Sequence, residues 1–317
     1  MSSWTPAQIP DLAGKRAVVT GANSGLGYHT ALQLAAHGAQ VVMACRDQGR
    51  GAEAVARVKA AVPRAQVELM TLDLADLGSI KQFATALGSK SKALHILVNN
   101  AGVMHIPESR TADGFEMQFG TNHLGHFALT GRLMPLLLAQ PAARVVTVSS
   151  IMARVGVVDF GNLNAELGYE QHRQYGLAKL SNQLFMLELD RRARAAGTSL
   201  ISAAAHPGYA ATNLQSRGPE MSGNRLGGLA MKLGNALVAQ SDAQGAWPSL
   251  YAATMPAVEG GDYYGPSGLG QLRGHPRSIE PVASARDLGV AGKLWEESER
   301  LTGVAYDFGA KPVASSH

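Results

Sequence analysis

The sequence has almost no cysteine and no long apolar run. Cys45 is the single cysteine among 317 residues, which excludes an intramolecular disulfide and suits a reducing compartment. No run of about 18 apolar residues occurs, so no transmembrane helix is expected. Residues 1–15 lack the apolar core of a secretory signal. We therefore expect a cytoplasmic protein, with peripheral membrane contact left open.

Charge is also sparse. Charged residues make up 16% of the chain and hydrophobic residues 46%, which is ordinary for a globular protein with a substantial core. The 28 basic and 24 acidic residues give a net charge of +4. No stretch combines Lys and Arg with interleaved aromatics, so we expect no nucleic-acid partner. The densest basic run, at 191–194, falls near the end of a predicted helix, where cations complement the helix dipole.

The feature around which the chain is organised is a glycine-rich stretch at 21–27, GANSGLG. An apolar run precedes it and a helical pattern follows, which gives the order strand, glycine turn, helix. The amide groups and dipole at a helix N-terminus can bind a phosphate, and glycine lets the backbone turn tightly and approach it. Three glycines alone could form an ordinary turn, but the flanking strand and helix favour a nucleotide site.

Apolar strands alternate with amphipathic helices along most of the chain. The predicted strands are 17–20, 40–44, 66–71, 94–98, 144–148, 198–205 and 262–264. The predicted helices are one that starts near Leu26 and those at 48–61, 75–87 (with Asp76 as N-cap), 122–138, 175–196, 242–253 and 287–302. The pattern predicts an α/β fold, a doubly wound parallel sheet with helices on both faces, in one domain over 1–317. Ligands of such sheets bind at the carboxyl ends of the strands.

Two later segments are less regular. Residues 213–240 combine several glycines with Leu and Met. We expect a lid over the crevice that orders against an apolar ligand, and a disordered excursion is the alternative. Residues 265–317 are expected to form a C-terminal extension.

Four motifs in this order resemble those of the short-chain dehydrogenase/reductase (SDR) family. They are Thr20-Gly21-x-x-x-Gly25-x-Gly27, Asn99-Asn100-Ala101-Gly102, Tyr175-x-x-x-Lys179 and His206-Pro207-Gly208. The resemblance covers about 14–212, and the stretches at 44–47 and 122–127 resemble the retinol dehydrogenase-like branch. It implies a Rossmann-like domain that interconverts an alcohol and a ketone or aldehyde, with a lipophilic substrate.

The acid–base chemistry rests on Tyr175 and Lys179. Four residues apart on a helix, they lie on the same face, and an ammonium there is expected to lower the tyrosine pKa toward the working range. Outside this family such a pair is usually an ordinary surface pair. The resemblance implies that Ser150, rather than Ser149, binds the substrate carbonyl oxygen. It also implies that Asn122 kinks its helix and holds a water that connects Lys179 to solvent, although asparagine there could simply be an N-cap.

Two patterns that suggest other chemistry do not hold. His123 and His126 lie three residues apart, but no third ligand is near them in the sequence, so we expect no metal site. A hydrolase elbow around Ser24 would need Gly-x-Ser-x-Gly, and Ala22 stands where the first glycine should be.

The cofactor preference rests on Arg46. NAD-dependent members carry an acidic residue at the end of the second strand, where this chain has Cys45, and a guanidinium next to it suits the 2′-phosphate of NADP(H). Asp47 could approach the ribose diol if the loop shifted, so NAD(H) stays the alternative cofactor. The resemblance implies the other cofactor contacts: Gly21, Asn23, Ser24, Gly25, Leu26 and Gly27 in the turn, Asp73 and Leu74 at the adenine, Asn100, Ala101 and Gly102 under the ribose, and Tyr175, Lys179, Pro207, Gly208 and Thr212 at the nicotinamide.

The expected partners are a small-molecule alcohol or carbonyl compound and further copies of the chain. The resemblance implies a homodimer or homotetramer formed through the helices at 122–138 and 175–196. The alternative function is an NADP(H)-binding redox sensor or interaction protein without turnover. Such relatives usually lose the tyrosine or the lysine, and both are present here.

Overall fold

The sheet has eight strands within the part of the chain that the computed structural model describes, residues 3–209 and 240–309. They are β1 (Arg16–Thr20), β2 (Gln40–Cys45), β3 (Gln66–Thr71), β4 (Ile96–Asn99), β5 (Arg144–Val148), β6 (Ile201–Ala205), β7 (Tyr263–Pro266) and β8 (Pro276–Ile279). The spatial order is β3-β2-β1-β4-β5-β6-β7-β8, and every pair is parallel except β7–β8. The predicted α/β, doubly wound fold is confirmed, with one antiparallel edge strand added.

Helices cover both faces of this sheet. They are α1 (Gly25–Ala36), α2 (Gln48–Ala61), α3 (Leu77–Lys90), α4 (Met117–Phe119), α5 (Gly125–Leu138), α6 (Gln171–Ala195), α7 (Asp242–Gly245), α8 (Trp247–Thr254) and α9 (Leu288–Thr302). One apolar cluster joins the sheet to α1, α2 and α8 through Leu34, Val58 and Leu250. Phe83 of α3 and Leu133 of α5 belong to a second cluster, on the opposite face. Burial on both faces explains why β1, β2, β4 and β5 are apolar runs rather than alternating ones.

Acidic side chains fix where several helices begin. Asp76 accepts hydrogen bonds from the amides of Gly78 and Ser79, so the predicted cap is confirmed, although α3 begins at Leu77 rather than at 75. Glu170 accepts from the amides of His172 and Arg173, which starts α6 four residues before the predicted position. Each carboxylate satisfies helix amides that would otherwise lack a partner.

The predicted start of the helix at Asn122 is wrong. The helical segment begins at Met117, where the buried Glu116 carboxylate accepts hydrogen bonds from the amides of Gln118 (2.8 Å) and Phe119 (2.7 Å). A π-helical turn, Gly120–Leu124, then joins α4 to α5. Asn122 therefore lies inside a distorted helix rather than at its N-cap. Such π-helical turns occur often at functional sites.

The structure differs from the predicted elements in the C-terminal part of the chain. The helix predicted at 242–253 is two helices, α7 and α8, with Pro248 in the first turn of α8, where no amide donor is needed. Strand β8 was not predicted, since its sequence Pro-Arg-Ser-Ile has no apolar alternation. The predicted lid at 213–240 lies outside the described residues except for Gln240. Within the described residues, no helix has the length and apolar character needed to cross a bilayer.

Candidate active site

A cleft opens at the carboxyl ends of β1, β2 and β4, where the order of the strands along the chain reverses. Twelve predicted cofactor residues line it: Gly21, Asn23, Ser24, Gly25, Leu26, Gly27, Arg46, Asp73, Leu74, Asn100, Ala101 and Gly102. The position of this cleft is the one expected for a dinucleotide in a doubly wound sheet.

The glycines of the turn are required by close packing and by backbone conformation. Gly21 has a φ of +65°, which favours glycine. A Cβ at Gly27 would lie 2.4 Å from the Gly21 carbonyl oxygen and 2.5 Å from Asn100 Nδ2. The first turn of α1 therefore packs directly against β1 and the chain after β4.

The start of α1 has free anion-binding capacity. Ser24 occupies its N-cap position but makes no side-chain hydrogen bond to the first turn, and that turn carries no acidic residue. The carboxylates of Asp47 and Asp76 occupy the same position at α2 and α3 and do make such bonds. Uncapped amides at a helix N-terminus fit a pyrophosphate.

Asn100 fixes the floor of the cleft. Its Nδ2 donates to the Thr20 carbonyl oxygen at 2.8 Å, and the amides of Asn100 and Ala101 both donate to Thr20 Oγ1 at 2.9 Å. The side chain of Asn100 is thus committed to holding the end of β4 against β1. Its contribution to a cofactor site is to shape the backbone.

The ribose end of the cleft contains two arginines and two aspartates. Arg46 is 60% exposed at its side chain, and its Nη1 lies 3.9 Å from Asp73 Oδ2. Asp47 caps α2 by accepting from the Arg50 amide at 3.0 Å, and it accepts from Arg50 Nε at 2.7 Å. These bonds hold the pKa of Asp47 below its usual value. Asp47 is therefore engaged by Arg50, while the Arg46 guanidinium reaches the cleft.

Tyr175, Ser150 and Lys179 come together beyond the carboxyl end of β5. The Ser150 hydroxyl lies near enough to the Tyr175 phenol to affect its pKa, and it accepts from the Met152 amide at 3.2 Å. Lys179 Nζ donates to the Val148 carbonyl oxygen at 3.1 Å and lies 5.7 Å from the centre of the Tyr175 ring. Tyr175 and Lys179 are each 4% exposed, so this is not a surface pair.

The electrostatics of this group correct one expectation. Burial raises the pKa of Tyr175 to about 12, and the neighbouring Ser150 hydroxyl counters this only in part. Burial also lowers the pKa of Lys179 to about 8. The predicted lowering of the tyrosine pKa by Lys179 is thus wrong for the protein alone, because desolvation of the phenol outweighs it. Tyr175 keeps its proton at neutral pH.

Asn122 contacts the segment that follows β4. Its Oδ1 accepts from the Val103 amide at 2.8 Å, and its Nδ2 donates to the Val103 carbonyl oxygen at 2.9 Å. A Cβ at Gly102 would lie 2.9 Å from Asn122 Oδ1 and 3.8 Å from Lys179 Nζ. Gly102 thus lets the side chains of Asn122 and Lys179 lie close to the same stretch of backbone.

Ser149 has a different environment from Ser150. Its Oγ donates to the Lys179 carbonyl oxygen at 2.7 Å and accepts from Gln183 Nε2 at 3.2 Å. Ser149 is 1% exposed, whereas Ser150 is half-buried. The hydroxyl of Ser149 is therefore used in joining β5 to α6, and that of Ser150 lies at the tyrosine.

The third side of the site is formed after β6. Gly208 has a φ of +66°, and its amide donates to His206 Nδ1 at 3.1 Å. The carbonyl oxygen of Pro207 accepts from Gln240 Nε2. Because β5 and β6 are neighbours, these residues and Ser150 lie at the same edge of the sheet. Thr212, the last predicted cofactor contact, lies outside the described residues.

The two neighbouring histidines each pair with a hydroxyl group in the core. His123 Nε2 pairs with Ser298 Oγ at 2.9 Å, and His126 pairs with Thr20 Oγ1 at 3.0 Å. Burial lowers their pKa values to about 3 and about 4, so both are neutral. No cluster of metal-ligating side chains occurs among residues 3–209 and 240–309.

Some residues at the site were not predicted. Arg50, Val103 and Thr121 also line the cleft. Arg50 could have been found from its position four residues after Arg46, on the first turn of α2. His105 lies with its ring 5.2 Å from that of Tyr175, and nothing in the sequence singled it out.

Sequence comparisons agree with this geometry. The family model described as "short chain dehydrogenase" matches residues 15–222. The chain belongs to the short-chain dehydrogenase family. Mouse retinol dehydrogenase 14 is 39% identical over 303 residues, 92% of this chain and 86% of the relative. Mouse polyprenol dehydrogenase is 39% identical over 309 residues, 95% of this chain and 87% of the relative.

Solved structures show the same fold. An uncharacterised protein from Mycobacterium paratuberculosis superimposes with a TM-score of 0.79 at 39% identity, over 96% of this chain and 100% of that one. The RhlG/NADP complex from Pseudomonas aeruginosa has a TM-score of 0.61 at 23% identity, over 80% of this chain and 94% of that one. This short-chain dehydrogenase is retinol dehydrogenase-like, an oxidoreductase that acts on CH–OH donors with a nicotinamide dinucleotide.

Proposed function

We propose that this short-chain dehydrogenase is an NADP(H)-dependent enzyme that interconverts a lipophilic alcohol with its ketone or aldehyde. The observation that carries the proposal is the group formed by the buried Tyr175 and Lys179 and the half-buried Ser150, beside an arginine-lined dinucleotide cleft. The nicotinamide, when bound, supplies or accepts the hydride.

The residues of this chain manage the proton. A phenol with a pKa of about 12 stays protonated at neutral pH, and it can protonate the far more basic oxygen that develops as a carbonyl is reduced. The Ser150 hydroxyl, which lies beside that phenol, can donate to the same oxygen. Lys179, with a pKa of about 8, is largely charged at neutral pH, and its ammonium stabilises the phenolate that Tyr175 becomes when it gives up its proton.

The preference for NADP(H) rests on Arg46 and Asp47. The carboxylate of Asp47 is engaged by the amide and guanidinium of Arg50, which leaves it poorly placed to accept from a ribose diol. The Arg46 guanidinium is largely exposed at the cleft, and its contact with Asp73 is long at 3.9 Å. A planar guanidinium there can pair with a 2′-phosphate.

Exposed apolar side chains on segments next to Ser150 support a lipophilic substrate. Val155 and Val157 follow Ser150 in the chain and are 62% and 57% exposed. A hydrogen bond of 2.9 Å from Arg154 to Gln271 brings the loop with Leu269, which is 96% exposed, to the same side. Exposed apolar side chains grouped at a site often contact apolar ligands. The names of the retinol and polyprenol dehydrogenases agree with this proposal.

The test compares NADPH and NADH as reductants of a panel of lipid aldehydes, retinal and aromatic ketones. We expect kcat/KM to be at least about tenfold higher with NADPH, the effect of one charge-assisted phosphate contact. Arg46→Leu should remove most of that preference while leaving the value for NADH within about threefold. Equal use of the two cofactors by the parent protein would refute the preference, and no turnover of any carbonyl compound would refute the substrate class.

Two further properties stay predictions. A homodimer or homotetramer is proposed from family resemblance, and sedimentation of the purified protein tests it, since a monomer at micromolar concentration would refute it. A cytoplasmic location is proposed from the single cysteine. Fractionation of cells that express the protein tests it, and recovery in the membrane fraction even after washing with high salt and alkali would refute it.

A further inference from the structure

His105 is held in a strained conformation at the edge of the active site. It follows the Asn99–Gly102 motif and has a φ of +50°, a region that residues other than glycine rarely adopt. Its amide donates to Gln118 Oε1 at 2.8 Å. Gln118 Nε2 donates in turn to the carbonyl oxygen of Gln171, the first residue of α6, at 2.9 Å. The strained backbone is thus tied to the same helix that carries Tyr175, and such strain clusters at functional sites.

The ring of His105 faces the catalytic tyrosine. Its centre lies 5.2 Å from that of Tyr175, at 73°, and 4.1 Å from that of His172, at 63°. His105 Nε2 is buried and has no hydrogen-bond partner among residues 3–209 and 240–309. Burial, with the nearby His172, lowers the pKa of His105 to about 4 despite the opposing charge of Glu170. The ring is therefore neutral at pH 7 and able to donate or accept one hydrogen bond.

An unpaired buried nitrogen costs stability, and a native fold that keeps one often uses it for binding or catalysis. We propose that His105 is a specificity-determining residue, whose ring nitrogen hydrogen-bonds a second oxygen of the substrate on the carbon next to the reacting carbonyl. The preferred substrates are then α-hydroxy or α-keto carbonyl compounds with an apolar remainder. This inference rests on the proposed function and narrows its substrate class. The edge contact between the His105 and Tyr175 rings puts the two residues at the same part of the site.

A purely structural role makes a different prediction. If His105 only packed against His172 to shape the loop, its loss would lower turnover of all carbonyl compounds alike. A hydrogen bond to the substrate instead changes the ratio between two substrates that differ by one hydroxyl. Intrinsic reactivity cancels when that ratio is compared between parent and variant.

The experiment measures kcat/KM for α-hydroxyacetophenone and for acetophenone, with NADPH, in four proteins. These are the parent, His105→Leu, His105→Asn and the control His172→Phe, which keeps the ring contact of the exposed His172. We expect His105→Leu to lower the ratio of the two values by about five- to tenfold, the worth of one hydrogen bond. His105→Asn, which tolerates a positive φ and keeps a polar amide, should retain much of the ratio, and His172→Phe should leave it unchanged.

A second measurement keeps the test independent of turnover and of how the leucine variant folds. The ring-proton resonances of His105 in the NADP⁺-bound parent, assigned by their loss in His105→Asn, are followed during addition of each ketone. We expect α-hydroxyacetophenone to shift them and acetophenone to leave them nearly unmoved. An unchanged ratio in His105→Leu, or equal responses to the two ketones, would overturn the proposal while the reductase function stands. A selective shift without turnover would support the role of His105 and count against the proposed function.

Discussion

Replacing Asn122 by alanine should destabilise the fold measurably, because its amide group has two buried partners. Oδ1 accepts from the Val103 amide at 2.8 Å, and Nδ2 donates to the Val103 carbonyl oxygen at 2.9 Å. Asn122 is fully buried, whereas Val103 is half-buried. Each buried polar group left unpaired costs about 1–3 kcal/mol, and partial access of water to Val103 favours the lower end. The expected loss in the free energy of unfolding is about 2–3 kcal/mol.

The assay is thermal unfolding followed by circular dichroism. For a chain of this size each kcal/mol lowers Tm by about 2 °C, so Asn122→Ala should unfold about 4–6 °C below the parent. Thr121→Ala is the matched control in the same π-helical turn, since its hydroxyl makes only a long contact of 3.4 Å to Met117 Sδ. Its Tm should fall by less than half as much. A Tm of Asn122→Ala within about 1 °C of the parent would mean a loss of only about 0.5 kcal/mol, and this result would refute the reasoning.

Three further predictions concern the cleft, the serines and the buried histidines. Gly27→Ala should weaken NADPH binding at least about tenfold by fluorescence titration, because a Cβ there would lie 2.4 Å from the carbonyl oxygen of the first motif glycine; unchanged affinity would contradict that packing. Ser150→Ala should lower kcat by about 10²-fold or more with little change in Tm, whereas Ser149→Ala should mainly lower Tm, and the reverse pattern would exchange their roles. Burial lowers the pKa of His206 to about 4, whereas the pKa of histidine in the unfolded chain is near 6.5. The contribution of the neutral ring to the free energy of unfolding is therefore fully present above about pH 6.5. It is lost as the pH falls from about 6.5 toward 4, because the unfolded chain then binds a proton that the folded protein does not. The Tm difference between the parent and His206→Gln should therefore shrink from pH 7.5 to pH 5, and a constant difference would count against a buried neutral ring.

The strand–helix order was predictable because it depends on local pattern. Strands β1, β2 and β5 are apolar on both faces, and the helices between them carry periodic apolar residues. The local sequence of each element is therefore enough to predict it. The glycine turn could likewise be located, since steric demands at Gly21 and Gly27 leave few alternatives. Residues that follow neighbouring parallel strands must then meet at one edge.

Tertiary contacts decide what the sequence pattern could not show. Glu116 caps the helical segment from a buried position. The sequence does not show that burial, and Glu116 therefore looks like an ordinary charged residue in a loop. Asn122 looks like an N-cap until its contacts with Val103 are known. The pKa of Tyr175 rises because the phenol is buried, an effect that the spacing to Lys179 cannot reveal. Two features single out His105, its positive φ and its unpaired ring nitrogen, and no sequence pattern predicts either of them.

The most direct test of the central claim is NADPH oxidation by the parent protein and by Tyr175→Phe, with the carbonyl panel, alongside NADPH binding by fluorescence. We expect turnover by the parent and a loss of at least about 10²-fold in kcat for the variant, because the proton donor is gone. NADPH affinity should stay within about threefold, since one hydroxyl at most is removed from the cofactor site. Substantial turnover by Tyr175→Phe at unchanged NADPH affinity would contradict the account.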